Sequence, residues 1–381
     1  MTADRISSIT ESVFGQINKL AAEHGAINLS QGAPDFDGPI WLSLLAKESI
    51  TSNNNQYANP FYGRVELRLN LQKMYQEFYG LTYDLDSEIT VTNGATQGIF
   101  LALLGLINPG DEVIVFEPFY DSYLASILMA GGIAVPVTLK APSYCYDPQE
   151  LSNAFSKKTK MVIFNSPQNP TGKVFTREEM QYLADLCHKH NVVVISDEVY
   201  EHLTFDGAKH IPLAALEGMK ERTITISSAG KTFGMTGWKI GWMMAPPKLS
   251  SAVRTVLQYN TFSVSNPFQI AIAKGLEQLN TYLPEFKKEY LEKRNFLYEV
   301  LVQAGFRPSL PEGTYFITCQ IDHLGFSDDV AFVKDLIQTK KVAAIPPSSF
   351  YLKSEEGKKT ARFCFAKTNM TLEKAKKNLL G

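Results

Sequence analysis

The sequence has few cysteines, and the four that it has are far apart. They are Cys145, Cys187, Cys319 and Cys364 in a chain of 381 residues. None of them belongs to a CxxC pair. This spacing argues against a disulfide framework and a zinc site, and it is typical of reduced thiols in the cytoplasm. We therefore expect a cytoplasmic protein without a bound metal.

Long apolar runs and an excess of charge of one sign are also missing. No apolar run approaches the length of a membrane span, and the first residues, 1–8, are polar, so we expect neither membrane insertion nor a leader peptide. The formal net charge is -2, which gives no reason to expect nucleic acid or an anionic membrane as a partner. The patterns GxxxxGK[ST] and GxGxxG are absent, which excludes the common nucleotide-binding loops.

One lysine, Lys231, follows an apolar run that reads as a strand, 223–226, and stands among small residues. A lysine in such a crevice has a lowered pKa, which favours the free amine, the nucleophilic form. A free amine beside small hydroxyl residues suits a Schiff base with an aldehyde cofactor that carries a phosphate. A solvated lysine in a glycine-rich turn has the same local sequence, so the rest of the chain has to decide.

Apolar strands alternate with helical segments through the middle of the chain. Runs such as 161–164 and 192–196 are typical of parallel strands that are buried on both faces. The alternation predicts an α/β fold with its site at the carboxyl ends of the strands. The candidate residues at or just after such ends are Gly94, Tyr120, Asn169, Asp197, Tyr200 and Lys231. Each alone has another explanation; Asp197, for example, could cap a helix.

The pattern changes after residue 247 to that of an α+β domain. The predicted elements there are helices at 249–256, 267–279, 284–304, 330–338 and 371–380 and strands at 315–318, 342–347 and 361–366. A helix predicted at 11–24 should pack with them. We therefore predict an N-terminal segment, 1–45, that joins a small domain of residues 284–381, and a large domain of residues 46–283.

Four motifs together resemble the class I and class II pyridoxal-phosphate aminotransferases of fold type I. They are Asn-x-Pro-x-Asn-Pro-Thr-Gly at 165–172, Ser-Asp-Glu-Val-Tyr at 196–200, Ser-x-Gly-Lys at 228–231 with Gly-Trp-Lys-Ile-Gly at 237–241, and Arg-Phe-Cys-Phe at 362–365. Each is weak alone, but their order over essentially the whole chain is specific. Segments 258–264, 312–316 and 343–346 resemble the bacterial methionine aminotransferases, and the kynurenine/glutamine aminotransferases are next.

The resemblance implies a large domain with a mostly parallel sheet sandwiched by helices, a smaller α+β domain from both termini, and pyridoxal 5'-phosphate as cofactor. Lys231 would bind the cofactor covalently and then move the proton between the substrate Cα and the cofactor. Asp197 would pair with the ring nitrogen. Asn169 and Tyr200 would hydrogen-bond the ring 3-hydroxyl oxygen, and Tyr120 would stack on the ring.

The resemblance also implies a phosphate site at a strand–turn–helix corner. Gly94, Ala95 and Thr96 stand where a helix N-terminus can offer backbone N–H groups to an anion. Ser228 and Lys239 would assist them. Many relatives have arginine at the position of Lys239; lysine gives a point charge where arginine would give a bidentate fork.

On the substrate side, the resemblance makes Arg362 the bidentate partner of the α-carboxylate, and Gly32 and Asn169 would complete this clamp. Phe14 would line the pocket for the substrate side chain. An apolar and aromatic lining suits methionine and aromatic amino acids.

Two further residues, Tyr57 and Phe262, act across a subunit interface in the family. Tyr57 would reach the phosphate of the neighbouring subunit, and Phe262 would enter the partner's pocket. Both roles require a homodimer with shared sites.

The expected activity is a ping-pong transamination from methionine, or from an aromatic amino acid, to a 2-oxo acid. A kynurenine/glutamine aminotransferase, with carbon–sulfur β-elimination from cysteine conjugates as a further activity, stays open as the alternative. A transcriptional regulator with an aminotransferase-like domain is disfavoured, because the similarity begins almost at Met1 and leaves no room for a DNA-binding domain.

Overall fold

A computed structural model describes residues 3–7, 9 and 12–381. The first α-helix, α1, spans Val13–Glu23, and the Ser12 side chain caps it by accepting a hydrogen bond from the Gly15 N–H. The helix predicted at 11–24 is therefore present, although Glu11 itself lies outside the described residues.

The remaining α-helices are α2 Ile40–Thr51, α3 Val65–Tyr79, α4 Gly94–Leu106, α5 Ser122–Met129, α6 Pro148–Ala154, α7 Arg177–His190, α8 Ala229–Thr232, α9 Pro247–Asn260, α10 Asn266–Leu276, α11 Leu279–Gln303, α12 Asp329–Asp335 and α13 Asn369–Leu380. The strands are β1 Ile27–Asn28, β2 Ile89–Asn93, β3 Glu112–Glu117, β4 Ile133–Thr138, β5 Thr159–Asn165, β6 Val193–Asp197, β7 Thr223–Ser228, β8 Ile240–Met244, β9 Arg307–Pro308, β10 Phe316–Gln320, β11 Val342–Ala343 and β12 Thr360–Cys364.

The central sheet has seven strands in the order β2-β8-β7-β6-β5-β3-β4. Only β8 runs antiparallel to its neighbours, β2 and β7, and the other pairs are parallel. The carboxyl ends of β2, β3, β5, β6 and β7 therefore meet at one edge of the sheet. The prediction of a mostly parallel sheet is confirmed.

Helices cover both faces of this sheet. Alternate residues of β5 belong to different cores: Met161 and Ile163 pack with α4 and α9, whereas Val162 and Phe164 pack with α7. This alternation explains the continuous apolar run that predicted the strand, because a strand between two helical layers has no polar face.

The C-terminal part forms an antiparallel sheet in the order β12-β10-β9. The N-terminal segment joins it, because β1 pairs with β11 in parallel register, with Ile27 opposite Val342. A smaller α+β unit built from both termini is thus present. The exact domain boundaries stay a prediction, and α11 begins five residues before the expected start at Pro284 and is continuous across it. No helix of the described residues is long and apolar enough to cross a bilayer.

Candidate active site

A cavity of about 280 Å³ opens at the carboxyl edge of the central sheet. All but two of the predicted site residues line it: Phe14, Gly32, Gly94, Ala95, Thr96, Tyr120, Asn169, Asp197, Tyr200, Ser228, Lys231, Lys239 and Arg362. Residues that are up to 348 positions apart in the chain thus meet in one place. The central sheet supplies those that follow its strand ends, whereas Phe14 comes from α1 and Arg362 from the smaller antiparallel sheet.

Lys231 lies in α8, the short helix that follows β7 directly. Its amine donates a hydrogen bond to the Tyr315 hydroxyl at 2.7 Å, and the Gly32 carbonyl oxygen is 3.4 Å away. Burial lowers the pKa of the Lys231 amine from 10.5 to about 8. At neutral pH a much larger fraction of this amine is therefore unprotonated than in an ordinary lysine.

Asp197 ends β6 and is almost completely buried. Its Oδ2 accepts a hydrogen bond from the Tyr123 hydroxyl at 2.5 Å. Burial raises the pKa of Asp197 to about 6, and the hydrogen bond from Tyr123 opposes this rise. At neutral pH the group is therefore mainly a carboxylate, and it lies in low-dielectric surroundings that favour a cationic partner.

A chain of amide side chains connects Asp197 to Arg362. The Asn165 Nδ2 donates to the Asp197 carbonyl oxygen at 2.7 Å, and the Asn165 Oδ1 accepts from the Asn169 backbone N–H at 2.7 Å. The Asn169 Oδ1 in turn accepts from a guanidinium nitrogen of Arg362 at 3.1 Å. The Asn165 side chain therefore holds the Asn169 backbone. Because the Asn169 Oδ1 binds Arg362, its amide nitrogen is the group that can donate into the cavity that Asn169 lines.

Arg362 lies on β12 with only 1% of its surface exposed. One terminal nitrogen donates to the Ser30 carbonyl oxygen at 2.9 Å, while its Nε has no partner among the described residues. The guanidinium carbon is 4.0 Å from the ring centre of Phe316, 5.3 Å from Phe14 and 5.4 Å from Phe350. A cation with unused donors in aromatic surroundings attracts a carboxylate strongly.

Gly32 lies where a side chain would not fit. A Cβ on this residue would stand 2.9 Å from the Phe316 ring and 3.9 Å from a terminal nitrogen of Arg362. Its carbonyl oxygen accepts a hydrogen bond from the Tyr315 hydroxyl at 2.7 Å. Glycine here lets the backbone approach the guanidinium closely.

The start of α4 is suited to bind an anion. Gly94 adopts a left-handed conformation, with φ of 72°, and the Asn93 side chain makes no capping hydrogen bond. The first-turn amides of Gly94, Ala95 and Thr96 therefore keep donors for another partner. The Lys239 amine is 3.2 Å from where a Cβ of Gly94 would stand, and the Ser228 hydroxyl does not cap α8.

Tyr57 and Phe262 are the two predicted site residues that do not line the cavity. Tyr57 is 73% exposed and Phe262 is 41% exposed. Their rings meet edge to face with centres 5.1 Å apart, and Phe61 stacks on Phe262 at 5.6 Å. Within one chain Tyr57 is therefore largely open to solvent, and Phe262 is partly exposed beside it.

Four residues that shape the site have no role predicted from the sequence, namely Tyr123, Asn165, Tyr315 and Phe316. Tyr315 and Phe316 belong to the 312–316 segment and Asn165 to the 165–172 motif. These motifs indicate the family but give no separate role to the three residues. Tyr123 stands among the aromatic residues that follow the strand β3, and such residues either face the ligand crevice or pack in the core, so the sequence alone does not give it a role.

The described residues contain no cluster of three or more acidic, histidine or cysteine side chains that could hold a metal. The donor set fits pyridoxal phosphate instead. The start of α4 could hold the phosphate, the Asp197 carboxylate could pair with a protonated ring nitrogen, and the Lys231 amine could bind the aldehyde. All three groups line the same cavity.

Comparison with known proteins agrees with this fit. Residues 24–379 match the family model described as aminotransferase class I and II. The chain is 40% identical to kynurenine–oxoglutarate transaminase 3 of Rattus norvegicus, over 98% of this chain and 88% of that protein. It is 39% identical to the methionine aminotransferase of Escherichia coli K12, over 98% and 97% of the two chains.

The overall fold also has close structural relatives. The solved structure of N-succinyldiaminopimelate aminotransferase from Mycobacterium tuberculosis superposes with a TM-score of 0.96 and 40% identity, covering 100% of this chain and 99% of that one. The protein thus belongs to the class I and II aminotransferases, enzymes of fold type I that depend on pyridoxal phosphate.

Proposed function

We propose that this enzyme transfers the amino group of methionine, or of an aromatic amino acid, to a 2-oxo acid in a ping-pong reaction. The observation that carries this proposal is the set of charged side chains that line the cavity. Among the described residues, its only lysine or arginine side chains are those of Lys231, Lys239 and Arg362. Each of them has a proposed role with the cofactor or the α-carboxylate, so the described part of this chain leaves no cation of its own for an acidic substrate side chain.

The apolar lining supports the same choice of substrate. Phe14, Tyr120 and Phe316 contribute aromatic surface to the cavity. A thioether or an aromatic ring gains from contact with such a surface, whereas a second carboxylate would be desolvated there without a partner. Because relatives with kynurenine and N-succinyldiaminopimelate in their names are equally similar, the donor is tested against both.

Bound pyridoxal phosphate supplies an electron-withdrawing ring that takes up the electrons left at the substrate Cα after deprotonation. The Asp197 carboxylate would keep the ring nitrogen protonated, because a buried negative charge favours the cation beside it. The Asn169 amide and the Tyr200 hydroxyl would donate to the ring oxygen. Burial raises the pKa of Tyr200, so its hydroxyl keeps the proton that it donates.

Lys231 would carry the proton from the substrate Cα. Burial brings the pKa of its amine to about 8, close to the operating pH at which a general base is most effective. Arg362 would fix the substrate carboxylate and thereby turn the Cα–H bond towards the Lys231 amine. Tyr315 can hold this amine through its hydroxyl, at the observed 2.7 Å, when the amine is free.

We further propose that the enzyme is a homodimer with shared sites. Tyr57, Phe262 and Tyr259, which is 84% exposed, present an aromatic surface that a second copy of the chain would cover. Exposed aromatic clusters of this kind are typical of interfaces. In this arrangement Tyr57 would complete the phosphate site of the neighbouring subunit.

The absorbance of the purified enzyme tests the proposed function directly. Adding methionine without an acceptor should convert the visible band of the aldehyde form into that of the amine form, with release of one equivalent of the 2-oxo acid. Adding a 2-oxo acid should then restore the band. An unchanged band with methionine and with phenylalanine would contradict the proposed donor class.

The same assay separates the alternatives. Conversion by kynurenine or glutamine but not by methionine would favour the kynurenine/glutamine aminotransferases. If N-succinyldiaminopimelate alone converts the band, the enzyme accepts an acidic donor, and the inference from the absence of a further cation among the described residues of the cavity lining is wrong. Release of pyruvate from a cysteine conjugate without an acceptor would identify β-elimination.

Replacing Tyr123 by phenylalanine should weaken cofactor binding at acidic pH. The Tyr123 hydroxyl stabilises the ionised form of Asp197, so its loss raises the pKa of Asp197 further above 6. The pH below which the affinity for pyridoxal phosphate falls should therefore move upwards, by roughly 0.5 to 1 pH unit. Titration of the apoenzyme with the cofactor between pH 5 and 8 measures this shift.

The matched control for this variant is Tyr79→Phe. Tyr79 also donates a hydrogen bond to a buried carboxylate, the Oε2 of Glu201, at 2.9 Å, but it does not line the cavity. Its loss should leave the pH profile of cofactor binding unchanged. Equal shifts in both variants would show that the effect is one of general stability and not of Asp197.

A further inference from the structure

Glu117, the last residue of β3, is a completely buried carboxylate. Its Oε1 accepts hydrogen bonds from the Thr138 hydroxyl at 2.9 Å and from the Ser354 backbone N–H at 3.0 Å. Its Oε2 accepts from the backbone N–H groups of Leu352 at 2.7 Å and Lys353 at 3.0 Å. A buried carboxylate is tolerated only when its oxygens are satisfied in this way.

Three of these four donors belong to one segment of the C-terminal part of the chain. Residues 347–354, which we call the strap, lie between β11 and β12. The strap is attached to the end of β3 at a second point, because the Phe119 N–H donates to the Phe350 carbonyl oxygen at 3.0 Å. The Lys353 side chain takes no part in this, since it is 67% exposed and its amine faces Glu150.

The strap also contacts the substrate side of the site. The Phe350 ring lies 5.8 Å from the ring of Phe14 and 5.4 Å from the guanidinium of Arg362. Phe14 and Arg362 line the cavity, whereas Phe350 supports them from outside it. The strap therefore contacts the Glu117 carboxylate at one end, and through Phe350 it contacts Phe14 and Arg362, the groups proposed to bind the substrate.

We propose that Glu117 is a positioning residue that fixes the strap to the large sheet and thereby holds Phe350 against Phe14 and Arg362. This inference rests on the proposed role of Arg362. Without the carboxylate, three consecutive backbone N–H groups lose their acceptor, and the strap has to move to find water. The guanidinium then loses one of its three aromatic contacts and the packing on that side, while its hydrogen bonds to Asn169 and Ser30 remain.

The test compares Glu117→Gln with the wild-type holoenzyme. A glutamine offers one acceptor oxygen and places an NH2 group against a backbone N–H, so it breaks part of the contact at equal size. Hydrogen exchange of residues 352–354 should be at least about tenfold faster. The Kd of 3-phenylpropionate, a carboxylate that cannot react, should rise about tenfold, and KM for the donor should rise with it, while kcat changes less than about threefold.

Thr138→Val is the matched control. It removes one hydrogen bond from the same carboxylate but leaves all three strap donors in place, so exchange and Kd should stay at the wild-type values. If Glu117→Gln does not fold, Glu117→Asp, which keeps the charge but shortens the side chain, is measured instead.

Each result decides the inference. Unchanged exchange at 352–354 in the Glu117 variant overturns it, and so does faster exchange with an unchanged Kd, which would make the strap contact purely structural. A wild-type enzyme that does not bind 3-phenylpropionate would refute the proposed role of Arg362, and the inference would fall with it. If only the expected results for the Glu117 variant are not observed, the proposed function of the enzyme is unaffected.

Discussion

Replacing Lys231 by alanine is expected to lower kcat for transamination by at least about 10⁴-fold, because the variant loses the amine that we propose both binds the aldehyde and acts as the base at the substrate Cα. Few other groups in the cavity can act as the nucleophile or as the base. Burial raises the pKa of the Tyr200 and Tyr120 hydroxyls, and the Asp197 carboxylate is held by Tyr123. The measurement is the rate at which the amine form of the cofactor appears after mixing with methionine.

The stability of the Lys231 variant separates this effect from misfolding. The folded-state pKa of about 8 lies below the ordinary value of 10.5, so the folded protein disfavours the charged amine. This cost is fully present below pH 8 and vanishes as the pH rises past 10.5. At pH 7 the relief of this cost should offset the lost packing, and the apoenzyme should melt close to the wild-type temperature. Turnover above about 1% of wild type in this folded variant would contradict the proposed mechanism.

The same variant can show whether the sites are shared. If Tyr57 serves the neighbouring subunit, a mixed dimer of a Lys231→Ala chain and a Tyr57→Ala chain contains one complete site. Mixing the two variants at limiting cofactor, under conditions that exchange subunits, should therefore give more activity than the two variants measured separately. If the mixture is only as active as the sum of the two separate variants, Tyr57 does not contribute to the partner's site.

Much of the fold could be predicted because it follows from local patterns. The apolar run at 161–164 indicates a strand with two covered faces, and parallel strands collect their carboxyl ends at one edge. The sequence therefore predicts that residues such as Asn169, Asp197 and Lys231 lie near one another. The capping box of α7, with Thr176 and Glu179, is also formed as its spacing indicates.

The antiparallel strand β8 was not predicted. Its sequence, Ile240–Met244, is short and apolar and follows the Gly-Trp-Lys-Ile-Gly motif, so nothing local gives its direction. Direction depends on the connection: only Phe233–Lys239 and the one-turn helix α8 separate β7 from β8, which is too little chain for a parallel crossover. The pair is therefore antiparallel, and β8 brings Lys239 back beside Gly94.

Other parts of the site depend on contacts that no sequence pattern reports. The hydrogen bond from Tyr123 to Asp197 joins the first turn of α5 to the end of β6 and depends on the orientation of both side chains. Likewise, the aromatic enclosure of Arg362 combines Phe14, Phe316 and Phe350 from distant segments. Tyr57 is largely exposed, and in the proposed dimer its surroundings would include a second chain, so the sequence of one chain does not determine them.

Replacing Arg362 by glutamine is expected to lower kcat/KM for methionine by roughly 10² to 10⁴, since removing one partner of a buried, hydrogen-bonded charge pair costs about 3 to 5 kcal/mol. Arg362→Lys should recover only a small part of this. A lysine keeps the charge but cannot bond a carboxylate, Asn169 and Ser30 at once with a planar fork. Steady-state rates for both variants, together with melting temperatures, measure the effect.

The control for Arg362 is a donor that lacks the carboxylate. Methionine without its α-carboxyl group is 3-(methylthio)propylamine, and it meets the same aromatic lining but gives the guanidinium nothing to bind. The kcat/KM for this amine should therefore be the same, within about threefold, in the wild type and in the Arg362 variants. The large preference of the wild type for methionine over the amine should disappear in the variants. If both variants retain that preference, the carboxylate is bound elsewhere, and the aromatic enclosure of Arg362 then stabilises the fold rather than the substrate. If the preference disappears, Arg362 both selects the substrate and aligns it, because the same fork that binds the carboxylate fixes the Cα–H bond relative to Lys231.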